Sequence, residues 1–312
     1  MSASADSVIA SWFEQHRSYL WGLSYRITGS AEDADDVVQD TFVRACRHAP
    51  EQLDDPRRWL MRIAVNLGRD VLRRRKRRAY VGPWLPTPVA TDDDDSPPSF
   101  EPVVDEQSLE RRYGLVESVS LAFLQALEAL TPTQRAVLLL RDAFDYSAAE
   151  VGAVLDTSEG NVRIIHHRAR RAIEAYEQRR AAPTPARRAR TIRVLRQFVD
   201  LLTAGDVAAI ERMLAADAKA VTDGGGEFTA SPIPIVGAFR VARFFSRLAA
   251  SRTGRVDVEF RSINRQAAAV FGFPQARGRR APRLLLSVDL DRAGSIANVW
   301  VIASATKLAR IS

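Results

Sequence analysis

No apolar run in this 312-residue sequence approaches the roughly 18 residues that a membrane-spanning helix requires. Cysteine is almost missing. Cys46 stands alone, which excludes a disulfide within the chain and fits a reducing compartment. The N-terminus lacks the order of charged, apolar and small residues that marks a signal peptide, so the expected location is cytoplasmic, with no membrane partner. Histidine is scarce as well: there are four, and none from residue 181 onward. No metal site and no cofactor is expected. What is plentiful is charge, 45 Lys and Arg against 38 Asp and Glu, and the net +7 favours polyanionic partners such as nucleic acid.

Residues 8–78 read as helical throughout, with no proline before Pro50. Ser30 followed by Asp33 predicts a capped start for a helix over residues 31–48. Residues 79–110 hold eight acids, six prolines and no Lys or Arg, the composition of a linker. Helical periodicity resumes near Tyr113. Thr131-Pro132 with Gln134, and Ser147 with Glu150, predict two further helix starts. A second linker, "RRAAPTPARRAR", covers residues 179–190. Beyond it the pattern changes. Residues 190–216 read as two short helices broken at Gly205-Asp206, a helix is predicted near 238–250, and segments such as "RVDVEFRS", "RLLLSVDL" and "IANVWVIAS" alternate as half-buried strands. Asp291 to Gly294 supplies a hairpin turn between the last two.

The segment "YSAAEVGAVLDTSEGNVRIIHHRARRAIE" predicts a helix-turn-helix. Its first helix buries Val151, Val154 and Leu155; "DTSEG" turns; Ser158 caps the second helix. In that helix Val162, Ile165, Ala169 and Ile173 make the apolar stripe, with Arg163, His167, Arg170 and Arg171 elsewhere on its surface. A basic second helix after a short turn suits the DNA major groove. The plainer alternative is a solvated basic helix in a bundle. His166, beside the stripe, is expected to be satisfied inside the protein, and His167 is the better contact.

In "DPRRWLMRIAVNLGRDVLRRRKRR" the predicted core stripe is Leu60, Ile63, Ala64, Leu67 and Val71. Trp59, Asn66 and Arg73, seven apart, fall on a second stripe about 100° round. An aromatic, an amide and a base beside an arginine-rich end suit stacking, base-edge hydrogen bonds and phosphate contacts, although a tryptophan near a helix start is also an ordinary core residue. The preceding helix, "AEDADDVVQDTFVRACRH", sets an acidic face of Asp33, Asp36 and Asp40 opposite Val37, Val38, Phe42 and Ala45. Such a face is solvated or docks on a basic protein; it does not bind DNA.

Together these pieces resemble an RNA polymerase sigma factor of the extracytoplasmic-function group. "AEDADDVVQDTFVRA" resembles the segment that docks on the clamp helices of the polymerase largest subunit, which would assign core binding to Asp36, Gln39, Asp40 and Arg44. "RRWLMRIAVNLGRD" resembles the element that melts and reads the −10 promoter motif, implicating Trp59, Arg62, Asn66, Arg69, Arg73 and Arg74, with the arginines of residues 73–78 holding phosphates. The helix-turn-helix is similar to the −35 reader, which implicates Ser158, Asn161, Arg163, Ile164, His167, Arg168 and Arg171.

"YVGPWLPTPV" and "DGGGE" resemble signatures of a subgroup with a fused SnoaL-like domain, an α+β cone. The implied architecture is multidomain: an all-α region 2 (1–79), an acidic Pro-rich linker (80–112), an all-α helix-turn-helix region 4 (113–180) and the α+β cone (181–312). The subgroup pattern WLPEP, DGGGK and NPDKL becomes Thr87, Glu227 and "SATKL" here, one acid lost and one base reversed. An interdomain contact is expected through Trp84, Leu85, Pro86, Asp223, Gly224, Gly225 and Gly226, with Trp84 on the cone. "DGGG" lacks the following Lys or Ser/Thr of a phosphate cradle and reads as a turn or docking loop.

The expected function is promoter-specific initiation with core RNA polymerase and promoter DNA as partners, modulated by the fused domain in place of a separate anti-sigma factor. No catalysis is expected. SnoaL-like enzymes use His and Asp, the cone has no histidine, and of Asp200, Asp206, Asp217 and Asp223 two fall at helix ends and Asp223 opens a glycine turn. An unidentified small ligand in the cone is a further partner the resemblance allows. The rival is a one-component helix-turn-helix regulator with a ligand-sensing SnoaL-like domain.

Overall fold

The computed structural model describes residues 3–50, 53–77, 80–91, 118–179, 184–252 and 254–311. They form two compact units. Of the described residues, one contains those of 3–77, 118–119 and 123–175, and the other contains those of 80–91, 120–122 and 176–311. The two helical regions expected from the sequence thus pack together as one unit. The second unit begins about five residues before the expected boundary at 181 and includes the first part of the linker. The acids of residues 92–110 and the predicted restart near Tyr113 lie outside the described residues.

The helical unit opens with α1 (Ala3–Thr28), α2 (Ala31–His48) and α3 (Pro56–Arg77). Ser30 accepts the Asp33 N–H as the cap of α2. Next come α4 (Leu121–Ala126), whose first two residues belong to the second unit, a 3₁₀ turn over Leu127–Ala129, then α5 (Pro132–Asp142), α6 (Ala148–Leu155) and α7 (Glu159–Ala172); α8 (Glu174–Arg179) falls mostly in the second unit. Both predicted capping boxes close reciprocally: Thr131 with Gln134 at α5, and Ser147 with Glu150 at α6.

The core stripe of α3 differs from its expected position. Leu60, Met61, Ala64, Val65, Leu67, Gly68 and Leu72 are buried, while Ile63 and Val71 are half-buried. Gly68 is the reason. A Cβ there would stand 2.8 Å from Ile27 Cγ2, so the bare backbone lets α1 lie close against that side of α3. Trp59 and Asn66 consequently sit nearly opposite the core rather than 100° from it.

In the second unit Thr184 caps α9 (Pro185–Ala204), which is 20 residues long and not short as expected. Gly205, left-handed at φ 72°, ends it, and Asp206 caps α10 (Val207–Met213). From Leu214 the chain is strand, which corrects the helix expected through residue 216. A six-stranded sheet follows, in the order β2-β1-β6-β5-β4-β3. Its strands are β1 (Leu214–Asp223), β2 (Ile235–Val236), β3 (Asp257–Ile263), β4 (Gln266–Gly272), β5 (Arg283–Leu290) and β6 (Ile296–Ile302). Only β1 and β6 run parallel. The predicted turn at Asp291–Gly294 joins β5 to β6, and α11 (Ala238–Ala250) is the helix expected near 238–250.

β5 is buried on both faces, which explains its nearly unbroken apolar run. Leu284, Leu286 and Val288 face Phe198, Phe245 and their neighbours. Leu285, with Val221, Val270 and Trp300, joins a second cluster completed by Leu85 of the linker and by Leu308 and Ile311 of the C-terminal turns, α12 (Ala305–Leu308) and Ala309–Ile311.

Candidate nucleic-acid interface and linker latch

On α2 the residues Asp36, Gln39, Asp40 and Arg44 are all exposed. At 100° per residue they share an arc of about 140°, opposite buried Val37, Val38, Thr41, Phe42 and Ala45. Val43, 42% exposed, lies among them. A largely acidic surface with an apolar centre suits a protein partner better than DNA.

On α3 the residues Trp59, Arg62, Asn66, Arg69 and Arg73 share an arc of about 80°. Arg62, Asn66 and Arg69 are linked to one another, and Arg69 also to α5. Asn66 donates to the Arg62 carbonyl at 3.0 Å and accepts from Arg69 at 3.0 Å, while Arg69 also donates to Thr133 of α5 at 3.0 Å. Arg73 pairs with Asp70 at 2.8 Å, and Arg74 is exposed.

Within the basic run 73–77 not every side chain is available for phosphates, contrary to expectation, and Arg78 lies outside the described residues. Arg75 grips both carboxylate oxygens of Glu128 and the Thr28 carbonyl, and Lys76 donates to the Leu130 carbonyl. Glu128 also takes Arg135, whose side chain is 2% exposed. Burial lowers the Arg135 pKa to about 10, against the pull of Glu128 and with a further push from Arg75. One carboxylate thereby compensates two guanidiniums, and the end of α3 is clasped by the segment before α5.

In the helix-turn-helix, Asp156 is left-handed at φ 55° and the Thr157 N–H returns to the Gly152 carbonyl. A Cβ on Gly152 would stand 2.7 Å from the Thr157 carbonyl oxygen, so the turn closes only on glycine. Val162, Ala169 and Ile173 of the predicted stripe are buried and Ile165 is half-buried. Arg163, Ile164, His167, Arg168 and Arg171 are exposed on the opposite arc of about 140°. Ser158 and Asn161 have local work: Ser158 caps α7, and Asn161 donates to Thr157 at 2.8 Å. Arg163 pairs with Glu159. His166 meets Asp142 at 2.7 Å, a satisfied histidine beside the stripe.

The linker and the fused domain meet at Asp223, which is 1% exposed. Its carboxylate accepts from Tyr80 Oη at 2.6 Å, Leu85 N at 2.8 Å, Gly225 N at 2.9 Å and Lys307 Nζ at 2.6 Å. Lys307 also donates to the Leu85 carbonyl and stands over Trp84, 4.4 Å from the ring centroid, and over Tyr80 at 5.0 Å. Leu85, Pro86 and Thr87 are buried. Further along, Ala90 bridges Ile263, and the Val89 amide donates to the Asn264 side chain at 2.9 Å.

The glycines let this happen. Gly225 has φ 64°, and a Cβ there would stand 2.6 Å from Ser304 Oγ; a Cβ on Gly224 would meet the Phe228 carbonyl oxygen, and Gly226 is left-handed at φ 77°. Glu227 is exposed and only just reaches Thr306, at 3.5 Å. The sequence reasoning missed Lys307 and Tyr80. Both stand inside the quoted segments "YVGPWLPTPV" and "SATKL", and those were the available signals. Of the other cone acids, Asp206 caps a helix, Asp217 pairs with Arg179 at 3.1 Å, and Asp200 is exposed.

The chain is similar to known proteins over most of its length. Residues 12–78 match the family Sigma-70 region 2, and residues 120–173 match Sigma-70, region 4. The sequence is 30% identical over 308 residues to the ECF RNA polymerase sigma factor SigJ of Mycobacterium tuberculosis, covering 95% of this chain and 91% of that protein. It is 32% identical over 206 residues to a probable ECF RNA polymerase sigma factor, SigI, of the same species, covering 65% of each. The crystal structure of M. tuberculosis SigJ superposes with a TM-score of 0.73 at 27% identity, covering 96% of this chain and 98% of that one.

Proposed function

The chain belongs to the extracytoplasmic-function RNA polymerase sigma factors, and on that premise we propose how its surfaces divide the work of promoter-specific initiation. The α2 face (Asp36, Gln39, Asp40, Arg44) docks on the clamp helices of the polymerase largest subunit. The α3 stripe receives unstacked bases of the −10 element, with Trp59 for stacking and Asn66 for a base edge. Exposed Arg163, Ile164, His167, Arg168 and Arg171 of α7 enter the −35 major groove, and Ser158 and Asn161 shape the start of that helix. The chain supplies no bond-making chemistry; that belongs to the polymerase.

The fused domain acts through the linker, and the Asp223 cluster is the observation that carries this reading. Held at Tyr80 and Leu85 by one buried carboxylate, residues 80–91 cannot at the same time be drawn out along another protein. Release of this latch favours initiation, so the domain stands in for a separate anti-sigma factor. The packed interior of the cone favours this role over ligand sensing. DNase footprinting of a promoter separates the sigma reading from a one-component regulator. Protection of −35 and −10 only when core polymerase is present supports the sigma reading; protection of an operator by the protein alone, unchanged by core polymerase, rejects it.

A further inference from the structure

Charge is divided unevenly along the chain. Residues 184–312 carry 21 Lys and Arg against 10 Asp and Glu, whereas residues 1–183 carry 24 against 28. The fused domain is therefore the basic part of a protein whose proposed promoter-reading helices lie in the other, net acidic part.

Much of that excess is used locally. Arg255 pairs with Asp257, Arg261 with Glu259, and Arg252 lies over the Phe273 ring and donates to the Ala281 carbonyl. On α11 it is not. Arg240, Arg243 and Arg247 are exposed in one row, separated by about 4.5 and 6 Å along the axis, and none has a carboxylate partner among the described residues. Phe239, 54% exposed, stands at the head of the row with Arg243 over its ring at 5.3 Å. Ile233 and Val236, just before and in β2, are 69% and 44% exposed. Ile235, Phe239, Arg240, Arg243, Phe244 and Arg247 line a cleft of about 380 Å³.

We propose that the outer face of α11 binds a single strand of nucleic acid, with phosphates on Arg240, Arg243 and Arg247 and a base against Phe239. A small molecule would need walls that enclose most of its surface, and this cleft rests on one helix and a two-residue strand. A membrane surface would need the apolar face of the helix, and Val241, Ala242 and Phe245 are spent in the core. An acidic peptide would satisfy the arginines but leave the exposed ring unused. A nucleic-acid strand uses both, through phosphate contacts and base–aromatic stacking.

The test needs no polymerase, so its failure leaves the sigma reading standing. Affinity of the full-length protein for a fluorescein-labelled 20-nucleotide single-stranded DNA is followed by anisotropy against salt. The triple variant Arg240→Gln, Arg243→Gln, Arg247→Gln is expected to make the slope of log K against log[salt] shallower by about 2, three phosphates at about 0.7 each. The corresponding lysine triple retains the slope. In parallel, p-benzoylphenylalanine at position 239 crosslinks to the oligonucleotide. An unchanged slope in the glutamine triple, an equal loss in the lysine triple, or a crosslink to polypeptide or anionic lipid instead of DNA overturns the proposal.

Discussion

Lys307 and Asp223 form a buried ion pair, Nζ to Oδ2 at 2.6 Å, that joins the C-terminal helix to the end of β1. The same two side chains hold the linker by its backbone, the acid taking the Leu85 N–H and the base giving to the Leu85 carbonyl. Water is excluded on both sides: the lysine side chain is 11% exposed and the aspartate 0%. Removing one partner of such a pair leaves the other charged and unpaired, which costs far more than the pair contributes. Lys307→Met should therefore destabilise the fused domain by about 3–5 kcal/mol. Urea unfolding gives the magnitude, and limited proteolysis should show cleavage within residues 80–91 that the parent protein resists.

A second prediction concerns the clasp on α3. Glu128 is the one acid shared by Arg75 and buried Arg135. Glu128→Ala removes the carboxylate that faces buried Arg135, and a loss of about 3 kcal/mol is expected for the helical unit. Chemical denaturation followed by tryptophan fluorescence measures it.

Gly152→Ala tests the helix-turn-helix turn. Alanine gains about 1 kcal/mol of helix propensity, but its Cβ meets a backbone carbonyl oxygen at 2.7 Å and cannot move aside. A net loss of about 1–3 kcal/mol is expected from the crowding. A rise in thermal midpoint would show that the turn has room.

On α7 the exposed face and the occupied face make opposite predictions. His167→Ala with Arg168→Ala should weaken binding of the polymerase holoenzyme to a −35 duplex and shrink its salt slope by about 1 for each phosphate no longer neutralised. Arg170, paired with Asp142 at 3.0 Å, should give an unchanged slope when replaced by alanine. Competition binding at several salt concentrations distinguishes the two.

Much of this architecture was legible because local chemistry and tertiary structure agree. The side-chain oxygens of Ser30, Thr131, Ser147 and Ser158 cap the helices that their spacing predicts, and Asp291–Gly294 turns where it should. The alanine-rich strands were hidden. "LAADAKAVTD" and "QAAAVFG" carry residues of high helix propensity, and only the pairing of β1 with β6 and of β4 with its two neighbours makes them strands. The α3 stripe was misplaced because a glycine reads as a gap in a pattern, whereas Gly68 is a contact. Gln39 and Arg44 on α2 and Ile164 and Arg168 on α7 came only with the family resemblance, whereas the buried stripes of the two helices followed largely from periodicity. The Asp223 cluster did not, since its members lie up to 227 residues apart, Tyr80 to Lys307, and no spacing rule links them.

The most direct test of the latch is run-off transcription with core polymerase and the gentlest available loosening of it. Tyr80→Phe removes one hydrogen bond to Asp223 and keeps the ring beneath Lys307. Multiple-round assays at matched concentrations of wild type and variant, with core affinity measured separately, should give more promoter-specific transcript from the variant, and still more from Tyr80→Phe combined with Trp84→Ala. Transcript yields equal to wild type in both variants, or lower at unchanged core affinity, would contradict a latch that restrains initiation.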